Sequence, residues 1–317
     1  MKNLIIILLL LLAFTTSSNA EVEKSALDSL WIKATSGLIR FQEEVQPSKD
    51  ALIEHGEDAV GFLIDKMDTR SAREMHTLVD ILGKIGNTAT LKVCGQLESD
   101  DYYRVNLATR ILEKIKDSTS VEYLLQHAQD SLYNIRSGVA SALGGIGHKS
   151  ATGTLLKLAS ESDYTVRKSA TVALGKMPFE EVYPALLTNL SDSYYGVRYT
   201  AANSIVGFEK DAVKALKDFI ERYMKDLSSF KSDDEIFGIA LAVDCLGKIG
   251  DKKSSKLLKK VSKISGDYLI RGYALRALGA IGGKSNIKFL HKSSETVSDP
   301  FVQAMIAEGL DIALSGD

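Results

Sequence analysis

One stretch of this chain recurs along most of its length at a nearly constant interval. A leucine or isoleucine near the end of each copy marks the register, and successive anchors are separated by 30, 31, 31, 31, 41, 32 and 32 residues. The anchors are Leu82, Leu112, Leu143, Leu174, Ile205, Leu246, Leu278 and Leu310. A period in this range is the signature of a solenoid, whose units bury their apolar faces by stacking on one another.

The apolar spacing inside each copy indicates a helix. Ile135, Val139, Leu143 and Ile146 fall at i, i+4, i+8 and i+11, which is one stripe of a 3.6-residue helix. An Asp or Ser precedes each copy as a helix N-cap, and a Gly follows as a C-cap. Each copy is therefore predicted to be the second helix of a pair. The predicted first helices are Asp58–Asp68, Thr88–Leu97, Ser120–Ala128, Ser150–Ala159, Glu180–Leu190, Asp211–Tyr223, Lys253–Ile264 and Ile287–Ser294.

Two patterns connect these copies to a known repeat. The pattern Asp-x-x-Val-Arg…Ala-x-x-Ala-Leu-Gly-x-Ile-Gly, and Leu-x-x-His-Gly-x-x-Ala-Val ending at Val60, resemble HEAT-like repeats of the armadillo-like superfamily, of the kind also found in phycobilisome lyases. The resemblance covers roughly Asp50 to Ala313. It implies an all-α fold, a right-handed α-solenoid of about eight two-helix HEAT-like repeats. It also implies a binding scaffold, because this repeat serves many unrelated partners.

The ends of the chain predict further organisation. Residues 1–20 read as a signal peptide, since Lys2 precedes an apolar run from Leu4 to Phe14 and Ala20 offers a cleavage site. The run is too short for the ~18–20 residues of a membrane span. We therefore expect no stable transmembrane anchor and a periplasmic or extracellular location; the alternative is an uncleaved anchor. Residues 21–49 are predicted as an N-terminal capping helix and 50–317 as the solenoid, with a 10-residue insertion near 225–235.

Charged residues recur at one place in the repeat. Asp and Arg are four or six residues apart at the start of four second helices, where the resemblance implies a structural ladder pairing adjacent repeats. The ladder residues are Asp130, Arg136, Asp163, Arg167, Asp192, Arg198, Asp267 and Arg271. Ile239 and Gln303 interrupt the Arg register, and Arg104 is offset by one. An anion site is the alternative interpretation.

Aromatic residues recur at the same turn. They are Tyr102, Tyr103, Tyr133, Tyr164, Tyr194, Tyr195, Tyr268 and Phe301. Seven of the 12 tyrosines thus lie at one edge of the repeat, and tyrosine is enriched at interfaces. We predict a partner-binding rim here; the alternative is that each ring covers the helix end of its neighbour.

Charge is unevenly distributed. Residues 21–100 carry 15 acidic and 9 basic residues, a net of −6, whereas residues 251–317 carry 7 acidic and 11 basic residues, a net of +4. Six lysines fall within one predicted helix: Lys252, Lys253, Lys256, Lys259, Lys260 and Lys263. This stripe is either a solvated outer face or a contact for an anionic surface. The overall charge of −2 argues against a nucleic-acid partner.

Motifs for catalysis are not found. The five histidines are scattered and none is followed by Glu, which disfavours the His-Glu metal sites of some HEAT-like hydroxylases. Cys94 and Cys245 are expected to be buried thiols that form no disulfide. We therefore predict no catalytic, cofactor-binding or metal residues. The leading hypothesis is an exported, non-catalytic scaffold for a protein or peptide. The alternatives are a cofactor- or chromophore-handling enzyme subunit of the phycobilisome-lyase type, and an envelope-associated protein that binds an anionic surface.

Overall fold

The computed structural model describes residues 24–225, 232–264 and 266–315, and this part of the chain contains no β-strand. The predicted signal peptide lies outside the described residues. The α-helices are α1 (24–34), α2 (Val45–Glu54), α3 (Glu57–Asp65), α4 (Ala72–Ile85), α5 (Thr90–Cys94), α6 (Tyr102–Ile115), α7 (Val121–Gln126), α8 (Tyr133–Ile146), α9 (Thr152–Leu158), α10 (Tyr164–Leu174), α11 (Tyr183–Asn189), α12 (Tyr195–Gly207), α13 (Val213–Lys225), α14 (Asp233–Ile249), α15 (Ser255–Ile264), α16 (Tyr268–Ile281), α17 (Lys284–Ser294) and α18 (Pro300–Ser315).

From α3 onwards the helices alternate between a first and a second helix of each pair, as the repeat period predicts. Short 3-10 turns border most first helices, at Ile39–Phe41, Lys66–Asp68, Gly86–Ala89, Gly95–Glu98, Ser118–Ser120, Lys149–Ala151, Glu180–Val182, Glu209–Ala212 and Lys252–Ser254. The all-α solenoid class is thereby confirmed; the handedness of the stack stays a prediction.

The chain divides into two compact units, Met1–Ile146 and Gly147–Asp317. Unit 1 contains α1, α2 and the pairs α3/α4, α5/α6 and α7/α8. Unit 2 contains the five pairs from α9/α10 to α17/α18. In each unit consecutive second helices pack side by side, α4 on α6 on α8 in unit 1 and α10 through α18 in unit 2.

The core of each unit is the apolar stripe of its second helices. Ile135, Val139 and Leu143 of α8 are essentially inaccessible to solvent, and so are their counterparts Val166 and Leu174 of α10. Full burial of such a side chain stabilises the fold by about 1.5–3 kcal/mol. The i, i+4, i+8 spacing is thus the packing seam of the solenoid.

The two glycines of Leu-Gly-x-Ile-Gly have different roles. The second one ends the helix with a positive φ, +78° at Gly86 and +73° at Gly250, which glycine adopts without strain. The first one is a packing position: a Cβ at Gly247 would lie 2.7 Å from Ala277 Cα on the next second helix. The sequence predicts glycine as a C-cap after each second helix, but the first glycine of the pair lies inside the helix.

The N-terminal helix is shorter than the sequence predicts. It ends at residue 34, whereas the sequence predicts a capping helix within residues 21–49. Ser36 Oγ accepts the Leu38 N–H at 3.1 Å and turns the chain, and Arg73 packs against Gly37. Leu27 and Trp31 are buried, while Leu38 is 53% exposed because it lies beyond the turn.

The ten additional residues of repeat six lengthen its helices. At 13 and 17 residues, α13 and α14 exceed the preceding pair, α11 and α12, which have 7 and 13. Ser232 begins α14 with a capping box, its hydroxyl accepting the Glu235 N–H. Residues 233–235 are therefore helical rather than part of a loop, and residues 226–231 lie outside the described chain.

Candidate interaction surfaces

The aspartates at the start of the second helices hold the turns that position the neighbouring side chains. Asp163 Oδ1 accepts the N–H groups of Thr165 (2.8 Å) and Val166 (3.3 Å). Asp267 makes the same pair of bonds three repeats later, at 2.8 and 3.1 Å. These two carboxylates satisfy helix N-terminal donors that would otherwise lack partners. Asp130 and Asp192 each accept one N–H at 2.8 Å, from the residue that precedes α8 or α12.

Arg167 joins two repeats. Its Nε and Nη2 atoms donate to the two carboxylate oxygens of Asp192 at 2.7 and 2.8 Å, a bidentate pair. Its Nη1 donates to the carbonyls of Glu161 (2.8 Å) and Ser162 (2.7 Å). The hydrogen bond to Asp192 raises the pKa of the Arg167 guanidinium above its ordinary value. The side chain thus connects the end of one first helix to the next repeat.

Other members of the register vary this arrangement. Arg198 Nη1 donates to Asp234 Oδ1 (2.7 Å) and to the Asp192 carbonyl (2.9 Å). Arg136 donates to the carbonyls of Asp130 (2.7 Å) and Ser131 (3.0 Å). The Nε atoms of Arg198 and Arg271 are buried and have no hydrogen-bond partner among the described residues.

Residues that interrupt the Arg register are accommodated locally. Gln303 donates to the Ser294 carbonyl at 2.8 Å and to the Val297 carbonyl. Its side-chain amide thus makes the two carbonyl contacts that an arginine guanidinium makes in other repeats. Ile239 is fully buried. Arg104, offset by one, donates to Asp68 and to the Ile64 carbonyl.

The tyrosines of the predicted rim divide into two groups. Tyr133, Tyr164, Tyr195 and Tyr268 are the first residues of α8, α10, α12 and α16, and with Tyr103 they are 45% to 60% exposed. Tyr102, Tyr194 and Phe301 are partly buried. The first group presents ring faces to solvent, whereas the second group packs against neighbours.

Ring contacts join the two groups in unit 2. Tyr194 lies 4.0 Å from Tyr164 and 5.0 Å from Tyr195 between ring centroids. Phe301 of α18 lies edge-on to Tyr268 of α16 at 5.6 Å. In unit 1 Tyr102 lies edge-on to Tyr103, whose other contact is the Arg70 guanidinium at 4.4 Å. Each such aromatic pair stabilises the fold by about 0.5–1.5 kcal/mol in addition to the effect of burying the rings.

Sequence analysis missed two tyrosines that extend this surface. Tyr199 follows Tyr195 at i+4, so it lies on the same face of α12, and it is 47% exposed. Tyr273 of α16 lies 6.5 Å from Phe301. Burial raises the pKa of Tyr273, with smaller contributions from the nearby Tyr199 and Asp244. The i, i+4 spacing from Tyr195 was the available signal for Tyr199.

We call the resulting surface of unit 2 the aromatic face, formed by Tyr164, Tyr194, Tyr195, Tyr199, Tyr268, Tyr273 and Phe301. An ionic row borders it on α14, α16 and α18. Asp244, nearly buried, accepts from Arg276, and Arg276 Nε donates to Glu308 at 2.7 Å. In unit 1 the corresponding face of α8 carries Ser137, Ser141 and Gly145 after Tyr133 at i+4 steps. Exposed tyrosines of the second helices are therefore more numerous in unit 2 than in unit 1 among the described residues.

The six lysines of the stripe lie on different sides of α15 and of the turn before it. Lys259 donates to Ser285 Oγ at 3.0 Å, and both Lys259 and Lys263 lie 5.4 Å from the centre of the Phe289 ring on α17. Lys253, Lys256 and Lys260 line a groove of about 660 Å³ between α13 and α15. Lys252 is exposed in the 3-10 turn before α15.

Both cysteines are free and buried. Burial raises the pKa of the Cys94 thiol to about 11 and that of Cys245 to about 12. Within the described residues no group of three or more His, Cys, Asp or Glu side chains is arranged to hold a metal. His127 contacts Glu98 at 3.2 Å, and His148 contacts Ser150 at 2.8 Å. None of the helices in the described ranges combines the length and hydropathy of a membrane span.

Comparison with known proteins agrees with this architecture. The family model for HEAT repeats matches residues 96–175 and 121–206. No curated protein matches the chain. A structure of a Kap121p mutant is similar over 91% of this chain and 37% of its own length, at 16% identity and a TM-score of 0.53. This chain therefore spans little more than a third of Kap121p, and the likeness shows the fold alone.

Two shorter proteins also align, with lower structural similarity. A chain from the CpcE–CpcF complex of phycocyanin lyase from Nostoc sp. PCC7120 aligns over 71% of this protein and 94% of its own length, at 20% identity and a TM-score of 0.40. Human deoxyhypusine hydroxylase covers 85% of this chain and 99% of that chain, at 16% identity and a TM-score of 0.36. Residues 96–206 match HEAT repeats, and the same two-helix unit recurs on either side of them in an all-α solenoid.

Proposed function

We propose that this protein is a non-catalytic scaffold that binds a protein or peptide segment across the aromatic face of unit 2. The observation that carries the proposal is the set of exposed rings on α10, α12 and α16, at 47% to 60% exposure. Tyrosine offers a large contact area with a polar tip and loses few rotamers on binding, and it is frequent among residues that dominate binding energy.

The geometry supports a rigid site. Tyr164, Tyr195 and Tyr268 are first residues of helices whose N-termini are fixed by capping or ring contacts, so their backbones are held by secondary structure. The partly buried Tyr194 packs against the ring of Tyr164, and the partly buried Phe301 packs against the ring of Tyr268. A site with little internal freedom loses less entropy on binding.

The test is photo-crosslinking in cells that express the protein. The photoreactive amino acid p-benzoylphenylalanine is placed at position 268, or at position 123 as a control, because Tyr123 is similarly exposed on a first helix of unit 1. We expect a discrete crosslinked protein from position 268 and none from position 123.

A double substitution then tests whether the face itself is recognised. Tyr195→Ser/Tyr199→Ser removes two exposed rings from α12 and is expected to abolish the crosslink from position 268 while leaving thermal unfolding nearly unchanged. If the crosslink persists in this variant, or if no crosslink forms at position 268, the aromatic face does not bind the partner.

We further propose that the chain acts outside the cytoplasm after removal of residues 1–20. The support is the sequence of the N-terminal segment, with its apolar run and small residues before Glu21. N-terminal sequencing of the protein recovered from the extracytoplasmic fraction is expected to begin at Glu21. A retained Met1 in that fraction would instead indicate the uncleaved anchor, and recovery in the cytoplasm would refute export.

A further inference from the structure

The lysine stripe of α15 faces a second set of charged residues that the sequence did not connect with it. Helix α13 presents Lys217, Glu221 and Met224 at i, i+4 and i+7 towards the groove, and Lys225 lies at its end. Lys253, Lys256 and Lys260 form the opposite wall. Among the residues that the structure describes, the two first helices therefore line a groove with five lysines and one carboxylate.

The lysines are available for a ligand. Lys253, Lys256 and Lys260 are exposed. Lys217 is the member with a partner, because its Nζ lies 3.4 Å from Asp251 Oδ2. Like charges held on facing walls repel one another, and an anionic ligand between them removes this repulsion.

We infer that this groove binds an extended acidic peptide segment that also carries an apolar side chain. The site lies on first helices and rests on α13 and α15 alone, so it does not depend on the proposed role of the aromatic face. Three features of the groove select this chemistry over other anions.

The first feature is length. Lys253 and Lys260 are seven residues apart, which is about 10 Å along a helix. A single phosphate is too small to contact both, whereas an extended peptide advances about 3.3 Å per residue and brings side chains to successive lysines. The ligand must therefore carry several separated negative charges.

The second feature is the apolar floor. Met224 and Leu257 line the groove between the charged walls. A polyphosphate or a sugar polymer has no apolar group to bury against these two side chains, whereas a peptide can bury a leucine or a similar side chain there. The third feature is concavity: the lysines point into a cleft between two helices, which a flat lipid surface does not enter. A membrane is therefore the less suitable anionic partner.

The test is fluorescence anisotropy of the full chain with a fluorescein-labelled peptide in which pairs of glutamates alternate with single leucines. The same peptide with glutamine in place of glutamate is the ligand control. We expect the glutamate peptide to bind, the glutamine peptide not to bind, and the affinity to fall steeply with added salt.

Matched variants locate the site. Lys253→Gln/Lys256→Gln/Lys260→Gln is expected to weaken binding about tenfold or more, since each exposed ion pair contributes up to about a factor of five. Lys210→Gln/Lys284→Gln/Lys288→Gln changes the net charge equally at exposed positions outside the groove and is expected to alter affinity by less than about twofold. Glu221→Gln removes the acidic group from the described walls and is expected to tighten binding by about two- to fivefold.

Several results would overturn the inference. Equal weakening by both lysine triples would show a net-charge effect without a site. Failure of the glutamate peptide to bind would exclude the proposed ligand, even if inorganic polyphosphate or phosphatidylglycerol vesicles bound in a Lys256-dependent manner. Unfolding curves of both triples, compared with the parent chain, separate loss of binding from loss of fold.

Discussion

Two joints within unit 2 use the same repeat in different ways. Where α10 meets α12, the bidentate Arg167–Asp192 pair joins the helices, and a Cβ at Gly175 would lie 2.2 Å from the Ser204 hydroxyl. Where α16 meets α18, a Cβ at Gly279 would lie 2.1 Å from the Gly309 carbonyl oxygen. The first joint is held by side chains, whereas the second brings two backbones into direct contact.

The charged residues of the second joint reflect this difference. Arg271, in the register of Arg167, has a buried Nε with no hydrogen-bond partner in the described chain, and Asp299 accepts the Val302 N–H. Close approach of two glycines allows dense packing along the seam, and the ion pair of this joint, Arg276 with Glu308, lies outside the register of Arg167. Repeats with similar sequences can therefore place their ion pair in the arginine register at one joint, and place it elsewhere beside a close backbone contact at another.

The largest effect is expected from Gly279→Ala. The added methyl group meets backbone atoms that cannot rotate away, so we expect the free energy of unfolding to fall by about 3 kcal/mol in urea titrations followed by circular dichroism. Gly175→Ala meets a serine side chain instead, and the better helix propensity of Ala offsets about 1 kcal/mol, so its loss should be about 1 kcal/mol.

Gly153→Ala is the control for helix propensity, because no atom lies within 4 Å of a Cβ built there. It should leave stability unchanged or slightly increased. In a Ser204→Gly background the side chain that the added methyl group meets is absent, so Gly175→Ala should cause no further loss relative to Ser204→Gly alone. Gly279 already faces a glycine and has no such rescue. The comparison fails if Gly279→Ala is as stable as Gly153→Ala.

Loss of the Arg167–Asp192 ion pair should have an intermediate effect on the free energy of unfolding. Arg167→Met leaves the Asp192 carboxylate, whose side chain is 7% exposed, without its partner, and leaves two carbonyls without a donor. We expect unfolding free energy to fall by about 2–3 kcal/mol. Gln303→Met, which removes only carbonyl contacts between α18 and the end of α17, should lower it by about 1 kcal/mol.

A double substitution separates the charge from the packing. Arg167→Met/Asp192→Asn should recover part of the loss, because the uncompensated carboxylate is then absent. If the double variant is no more stable than Arg167→Met, the guanidinium stabilises the joint through the carbonyls rather than through Asp192.

The smallest effects are expected at the exposed rings of the two joints. Tyr164→Ser and Tyr268→Ser each remove one ring of an aromatic pair from a solvent-facing position, and each should lower stability by less than about 1 kcal/mol. Thermal unfolding of the two variants in parallel provides the measurement. A markedly larger loss at Tyr164 than at Tyr268 would indicate that the first joint depends on its ring stack as well as on its ion pair.

Much of the fold could be predicted from particular residues. The spacing of Ile135, Val139 and Leu143 predicted a helical stripe, and these residues form the buried seam. The Asp and Gly residues at the ends of the repeats predicted helix bounds that agree with α10 and α16, whereas α8 begins three residues after Asp130. The prediction was wrong for the N-terminal helix, which was expected to continue past Leu38 on the evidence of its apolar residues alone. Ser36 and Gly37 turn the chain before Leu38.

The candidate surfaces were predictable in part. The rim tyrosines recur at a fixed position, so their common location followed from the period, whereas Tyr273 belongs to no recurring position and became visible only through its contact with Phe301. The lysine stripe was evident in sequence, but the lysine and glutamate of α13 opposite it were not, since no local pattern pairs helices one repeat apart.

Sequence periodicity and capping residues were sufficient to predict a stack of helical pairs, the bounds of α10 and α16, and the side chains that form the seam. These properties depend on residues close together in the chain, namely apolar periodicity, caps and glycines. Tertiary structure alone decided which glycines contact a neighbouring backbone, which arginine finds a carboxylate, and which lysines share a groove. Those properties depend on the distance between helices in adjacent repeats, which the packing of all side chains along the seam determines.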